Sequence, residues 1–282
     1  MFNYGNSFQK AKEKMKKENA MWAVGYAVIF LAIQVIAQSL VGGVWAIVTG
    51  QSMSQLPVEC TIVSLAVFSL VSIALFAWAR WSPVSRQWIM TRPWGVLAWS
   101  AVAALGVILP SWAVQELLPA WPEAIQRYID AAEAEAALLM STTGGYAVVC
   151  LLAPVAEELV FRGAALRTLL AWKPEHRWLM IVLSALLFAL AHLNPAQLLH
   201  PFAIGLLLGW MYERTGSVVP GIVFHWANNS VAYLAYHAYP SPDIRLTDIF
   251  HDNVHVMLAV GFSLFILLPA IYQLNRLMKR HV

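Results

Sequence analysis

The segment Ala153-Pro154-Val155-Ala156-Glu157-Glu158-Leu159-Val160-Phe161-Arg162 places two adjacent carboxylates inside an apolar run. Ionisable groups in hydrocarbon are costly, so such a pair is read first as functional. Neighbouring residues of a helix point about 100° apart and cannot face one point together. Glu158 and Arg162 are four apart, share a face and can form an ion pair. One arginine cannot neutralise two carboxylates, so Glu157 is left without a partner on its own helix. Pro154 frees a backbone carbonyl one turn earlier and can kink the helix. A second apolar run, Phe188-Ala189-Leu190-Ala191-His192, ends in a lone histidine. A third holds His225-Trp226-Ala227-Asn228-Asn229, in which His225 and Asn229 share a face and Asn228 is a near neighbour. His200-Pro201 also stands at the edge of an apolar run and reads as a helix-end pair with a structural role.

A glutamate, two histidines and an asparagine suffice for hydrolysis. A buried carboxylate is a usable general base near neutral pH, and a histidine beside it can share a water. The deprotonated water attacks a carbonyl, and a second histidine and an amide donate to the tetrahedral oxyanion. That route cleaves a peptide bond with no covalent intermediate. Glu157, His192 and His225 could alternatively hold zinc with water in the fourth position, and the sequence leaves these two versions open. Other membrane protease chemistries lack their residues. There is no His-Glu-x-x-His pair for zinc, no Gly-x-Ser-x-Gly elbow, and no aspartate within an apolar run.

The elements that position these residues are helices in lipid. Of the 282 residues, 60% are hydrophobic and 12% charged, against about 45–50% and 25% in a soluble domain. That composition excludes both a water-soluble globule and a disordered chain. Cys60 and Cys150 are too few for a disulfide framework or a thiolate cluster. A bilayer core about 30 Å thick needs roughly 20 helical residues. Eight runs qualify or nearly do: Met21–Val48, Thr61–Ala79, Gly95–Leu118, Tyr146–Leu170, Trp178–Leu193, Leu198–Tyr212, Val218–Tyr236 and Val254–Leu274. The fifth and sixth are short.

Lysine and arginine mark the cytoplasmic side. With a cytoplasmic N-terminus, Arg127 and Arg245 alone among the 18 basic residues fall outside, once Arg162 is set aside as intrahelical. The expected fold class is therefore all-α, a polytopic membrane protein of about eight transmembrane helices with both termini cytoplasmic. Residues 1–20 form a basic cytoplasmic segment that anionic lipid attracts, and 21–282 form one transmembrane domain with its catalytic core at 146–236. Glu123, Asp130, Glu133 and Glu135 collect on the outer side, where 122–140 reads as a surface helix. Asp243, Asp248 and Asp252 collect there too. The expected partners are membrane lipid and a peptide or protein substrate, with no nucleic acid. A bacterial-type plasma membrane is the expected location.

Glu157-Glu158-x-x-x-Arg162, Phe188-x-x-x-His192 and His225-x-x-x-Asn229 resemble, in order and spacing, the motifs of the CPBP intramembrane proteases. This is the family of CAAX endopeptidases and bacteriocin-processing or immunity proteins, also called Abi. The resemblance covers about a third of the chain, Tyr146–Tyr236. It implies an eight-helix fold with an active site inside the membrane facing the cytoplasm. It implies Glu157 and His192 as water activators and His225 and Asn229 as transition-state stabilisers. Glu158 and Arg162, with Asn228 beside them, would support these. The family is described both as metal-dependent and as metal-free, so zinc stays open, and the substrate is a prenylated CAAX protein or a peptide to be matured. A transporter or scaffold using the same cluster as a proton or ion site is the alternative. Three spaced motifs and the absence of an inverted repeat favour hydrolysis.

Overall fold

A computed structural model describes residues 20–53, 56–83, 86–119, 121–241 and 244–278. Nearly all of the expected basic segment 1–20, together with Asp243, Lys279 and Arg280, lies outside the described residues. The described chain is all helix, with no strand among these residues.

Among the described residues nine helices carry the architecture. They are α1 (Ala20–Thr49), α2 (Val58–Trp78), α3 (Trp94–Glu116), α4 (Glu123–Met140), α5 (Thr143–Trp172), α6 (Arg177–Leu190), α7 (Leu199–Thr215), α8 (Val219–Ala238) and α9 (Asn253–Leu277). Single helical turns at Arg86–Met90 and Leu246–Phe250 sit in the connections. Proline starts several of them. Pro57, Pro93 and Pro122 stand directly before α2, α3 and α4, where a missing N–H breaks no ladder. Thr142 and Asp252 cap α5 and α9 by accepting from backbone N–H groups one turn on.

Each of the eight apolar runs is a helix, with ends shifted by a few residues, and the acidic segment is the amphipathic α4. Five helices, α1, α2, α3, α5 and α9, are long and apolar enough to cross a membrane. The other three expected spans, α6, α7 and α8, fall outside that combination of length and apolarity for physical reasons. α6 has 14 residues and α7 has 17, about 21 and 26 Å of rise. α8 is long enough but interrupted by the polar residues His225, Asn228 and Asn229.

Packing is inside-out in places. Trp78 is 83% and Phe265 78% exposed, faces that only lipid can cover. The interior is built on aromatics: Phe30 meets Phe68 at 4.7 Å and Phe161 at 5.5 Å, Phe161 meets Phe188 at 5.3 Å, and Phe188 meets His192 at 4.9 Å. α3 runs against both α8 and α9. The α3–α9 approach depends on Gly106, since a Cβ there would lie 2.7 Å from the Leu267 backbone nitrogen. Ser263 of α9 donates to the Gly106 carbonyl at 3.1 Å.

Candidate active site

α5 changes its winding around the carboxylates. Tyr146–Leu152 and Leu159–Leu166 are π-helical, and the α-helical turn Ala153–Glu158 lies between them, beginning at Pro154. Such widened turns are rare and cluster at functional sites.

Glu158 and Arg162 are both fully buried and pair at 2.8 Å, Nη1 to Oε1. The guanidinium lies over the Phe188 ring at 4.2 Å, and its Nη2 donates to the Gly205 carbonyl at 3.4 Å. A buried ion pair holds only when such further contacts share the load of desolvation. Glu158 Oε2 points at α8, where a Cβ on Gly221 would meet it at 2.6 Å. Glycine is thus what lets the carboxylate reach this helix.

His225, 3% exposed, stands between the two glutamates. Its Nδ1 is 3.4 Å from Glu158 Oε1 and its Nε2 is 3.7 Å from Glu157 Oε2. Glu157 lacks a partner on its own helix, as expected, and finds one on α8. Its carboxylate is partly exposed to a cavity of about 710 Å³.

His192 departs from the sequence reading. α6 stops at Leu190, so His192 lies past the helix end rather than inside a span reaching Leu193. The stop has local causes. Pro195 excludes helical geometry at Asn194, which is extended at φ −118°, ψ 113°. Leu193 takes a left-handed φ of 53°, a conformation usually left to glycine or asparagine. Two bonds hold this turn. His192 Nδ1 lies 2.9 Å from the Phe188 carbonyl. A carbonyl only accepts, so Nδ1 carries a proton and donates to it. Tyr128 of α4 donates to the Leu193 carbonyl at 2.8 Å.

The asparagines have different surroundings. Asn229 donates to the Val149 carbonyl at 2.9 Å, tying α8 to the first π-helical stretch of α5. Asn228 is 3% exposed, and its amide nitrogen reaches Asn229 Oδ1 at 3.2 Å and His200 Nε2 at 3.3 Å. His200 Nδ1 is 2.7 Å from Ser111 Oγ, whose own hydroxyl donates to the Ile108 carbonyl. So His200, read from sequence as a helix-end residue, belongs to the polar cluster. A third histidine eight residues after His192 in an apolar context was the available signal, and Pro201 beside it obscured it.

Glu157, His192, His200, His225, Asn228 and Asn229 all line the one cavity, while Glu158 and Arg162 lie behind its wall. Among the described residues no group of three or more His, Cys, Asp or Glu side chains is gathered so that it could hold a metal ion. Glu157, His192 and His225, which the sequence left open as zinc ligands, are not gathered into such a site in this arrangement.

Residues 140–231 match the family model described as Rce1-like, type II CAAX prenyl endopeptidase. The matched stretch begins at the last residue of α4, ends within α8, and contains every residue of the cluster except Ser111. It is consistent with the CPBP resemblance carried by Tyr146–Tyr236. With five long apolar helices, it makes this an integral membrane protein. No curated protein and no solved structure matches the chain.

Proposed function

We propose that the protein is an intramembrane endopeptidase that hydrolyses a peptide bond in or next to the membrane. The observation that carries this is the approach of Glu157 to His225, on two different helices, beside a cavity that His192 also lines. Glu157 and Nε2 of His192 hold a water between them. Glu157 takes one proton as the hydroxide oxygen bonds to the carbonyl carbon. The oxyanion that forms accepts from His225 and from Asn229, whose amide has two hydrogens and gives one to Val149. The C–N bond then breaks, and the proton on Glu157 passes to the leaving amine. Glu158, Arg162 and Asn228 fix the orientation of His225 and Asn229.

The Rce1-like description makes a prenylated CAAX-type peptide the substrate to try first. Eight crossings, a single membrane domain at 21–282 with a core at 146–236, and cytoplasmic termini complete the proposal, supported by the distribution of lysine and arginine. The test is cleavage of such a peptide by protein purified in detergent. Glu157→Gln is expected to lower kcat by about 10²–10⁴ with an unchanged melting curve, and His192→Ala to do the same. Cleavage at the wild-type rate by both variants refutes the assignment.

A further inference from the structure

His200 is half-buried in the first turn of α7 and takes no part in the hydrolytic steps above. Its two ring nitrogens nonetheless join α3 to α8. Nδ1 is 2.7 Å from Ser111 Oγ, and Nε2 is 3.3 Å from the Asn228 amide nitrogen. From Asn228 the bonds continue to Asn229 Oδ1 at 3.2 Å, and from Asn229 to the Val149 carbonyl at 2.9 Å. The chain of bonds threads α3, α7, α8 and α5. Ser111, His200, Asn228 and Asn229 all line the cavity.

Both ends of this chain of bonds are backbone carbonyls, which only accept. The direction of every bond follows from them. At one end Val149 takes a hydrogen of Asn229, so Asn229 Oδ1 faces Asn228 and accepts. Asn228 then presents its NH2, one hydrogen to Asn229 and the other to His200 Nε2. At the other end Ile108 takes the Ser111 hydroxyl hydrogen at 2.9 Å, so Ser111 Oγ accepts from His200 Nδ1. The two ends agree on one state of the ring, with a proton on Nδ1 and a lone pair on Nε2. Asn228 Oδ1 is buried with no hydrogen-bond partner among the described residues. The two bonds of the NH2 group alone therefore hold that amide in place. Without an acceptor at position 200 the amide can turn over. Its oxygen would then meet Asn229 Oδ1, and Asn229 would turn in response and lose Val149.

We propose that His200 is a positioning residue of the hydrolytic site. Its bare Nε2, fixed by Ser111, orients Asn228 and through it keeps one Asn229 hydrogen free for the oxyanion. This deepens the protease reading and rests on it for the chemistry. What position 200 must supply is a hydrogen-bond acceptor, not a group that transfers protons.

The experiment uses the full chain purified in detergent, with a prenylated CAAX-type peptide as probe. His200→Leu is expected to lower kcat by about 10-fold or more, short of the roughly 10²–10³ that removing an oxyanion donor costs. KM should hold while the melting point falls slightly. His200→Gln, which offers an amide oxygen at similar reach, should recover most of kcat. In an Asn229→Ala background His200→Leu should cost nothing further, because its effect passes through Asn229. Equal kcat for the Leu and Gln variants, or a full loss that persists in the Asn229→Ala background, overturns the proposal. If His200→Leu does not accumulate, Ser111→Ala decides: it should lower kcat with KM held, and unchanged kcat overturns the proposal. A second readout needs no activity. 15N NMR of histidine-labelled protein, with the signal assigned by its loss in His200→Gln, should show the proton on Nδ1 and none on Nε2. A proton on Nε2 overturns the proposal even if cleavage is normal. A chain with the expected ring state that cleaves nothing refutes the protease reading, and the catalytic role with it, while the bonds themselves stand.

Discussion

α5 and α9 are both long apolar helices, yet α5 buries 50% of its membrane-spanning window inside the protein and α9 only 17%. α9 leans on α3 and otherwise shows lipid-facing side chains such as Phe262 and Phe265. It needs only apolarity and length. α5 is enclosed by α1, α2, α6, α7 and α8. Its neighbours supply carbonyls, an aromatic face and an imidazole, so it can carry four charged groups and two widened turns. In a bilayer, polar chemistry follows protein enclosure rather than depth alone.

The largest effect that would sharpen this contrast is at Arg162. Arg162→Met should lower stability by about 3–5 kcal/mol, because Glu158 is left as an uncompensated buried charge. Arg162→Met with Glu158→Gln should recover much of that loss in thermal unfolding in detergent. Equal melting points for the single and double variants would break the contrast.

Next come two glycines with opposite expectations. Gly221→Ala forces a Cβ against Glu158 Oε2 and should cost about 1–3 kcal/mol by overpacking. Gly261→Ala in α9 meets nothing within 4 Å and should be neutral or stabilising by up to about 1 kcal/mol. The same melting assay reads both, and a shared sign would contradict the distinction between enclosed and lipid-facing helices.

A smaller effect is expected at Tyr128. Tyr128→Phe removes one hydrogen bond to the left-handed Leu193, worth about 0.5–1.5 kcal/mol. It should lower kcat and, slightly, the melting point, while KM holds. In a Leu193→Gly background, where left-handed backbone carries no side-chain penalty, the loss should disappear.

The smallest effect lies at the start of α9, outside the apolar span. The His255 backbone N–H, and then its ring at 2.8 Å, hold the Asp252 carboxyl below its ordinary value. A depressed folded value means the cap stabilises above the unfolded value of about 3.9 and fades as pH falls through the folded one. Amide exchange in the first turn of α9 should speed up between pH 5 and pH 3, and Asp252→Asn should show no such change.

Much of the frame was legible because apolar runs and proline positions are local signals. The eight runs emerge as helices, and the i, i+4 spacing of Glu158 and Arg162 gives the observed pair. What was not legible depends on neighbours. The end of α6 before His192 combines a left-handed leucine with a hydroxyl from α4, 65 positions earlier. His200 joins the cluster through Ser111 of α3 and Asn228 of α8. Whether α6, α7 and α8 span is not legible from hydropathy, which counts residues and not the protein that shields them.

The π-helical stretch Leu159–Leu166 holds slack in its register, because i→i+5 bonding accommodates one residue more than a regular turn would. A single-residue deletion there would let the rod tighten without shortening the crossing appreciably. Arg167 and everything after it would keep their facing about the axis, while the residues inside the stretch shifted against their neighbours. Sequence length in that stretch is therefore a dial on how the widened turn itself meets its neighbours, separate from the identity of any side chain it carries.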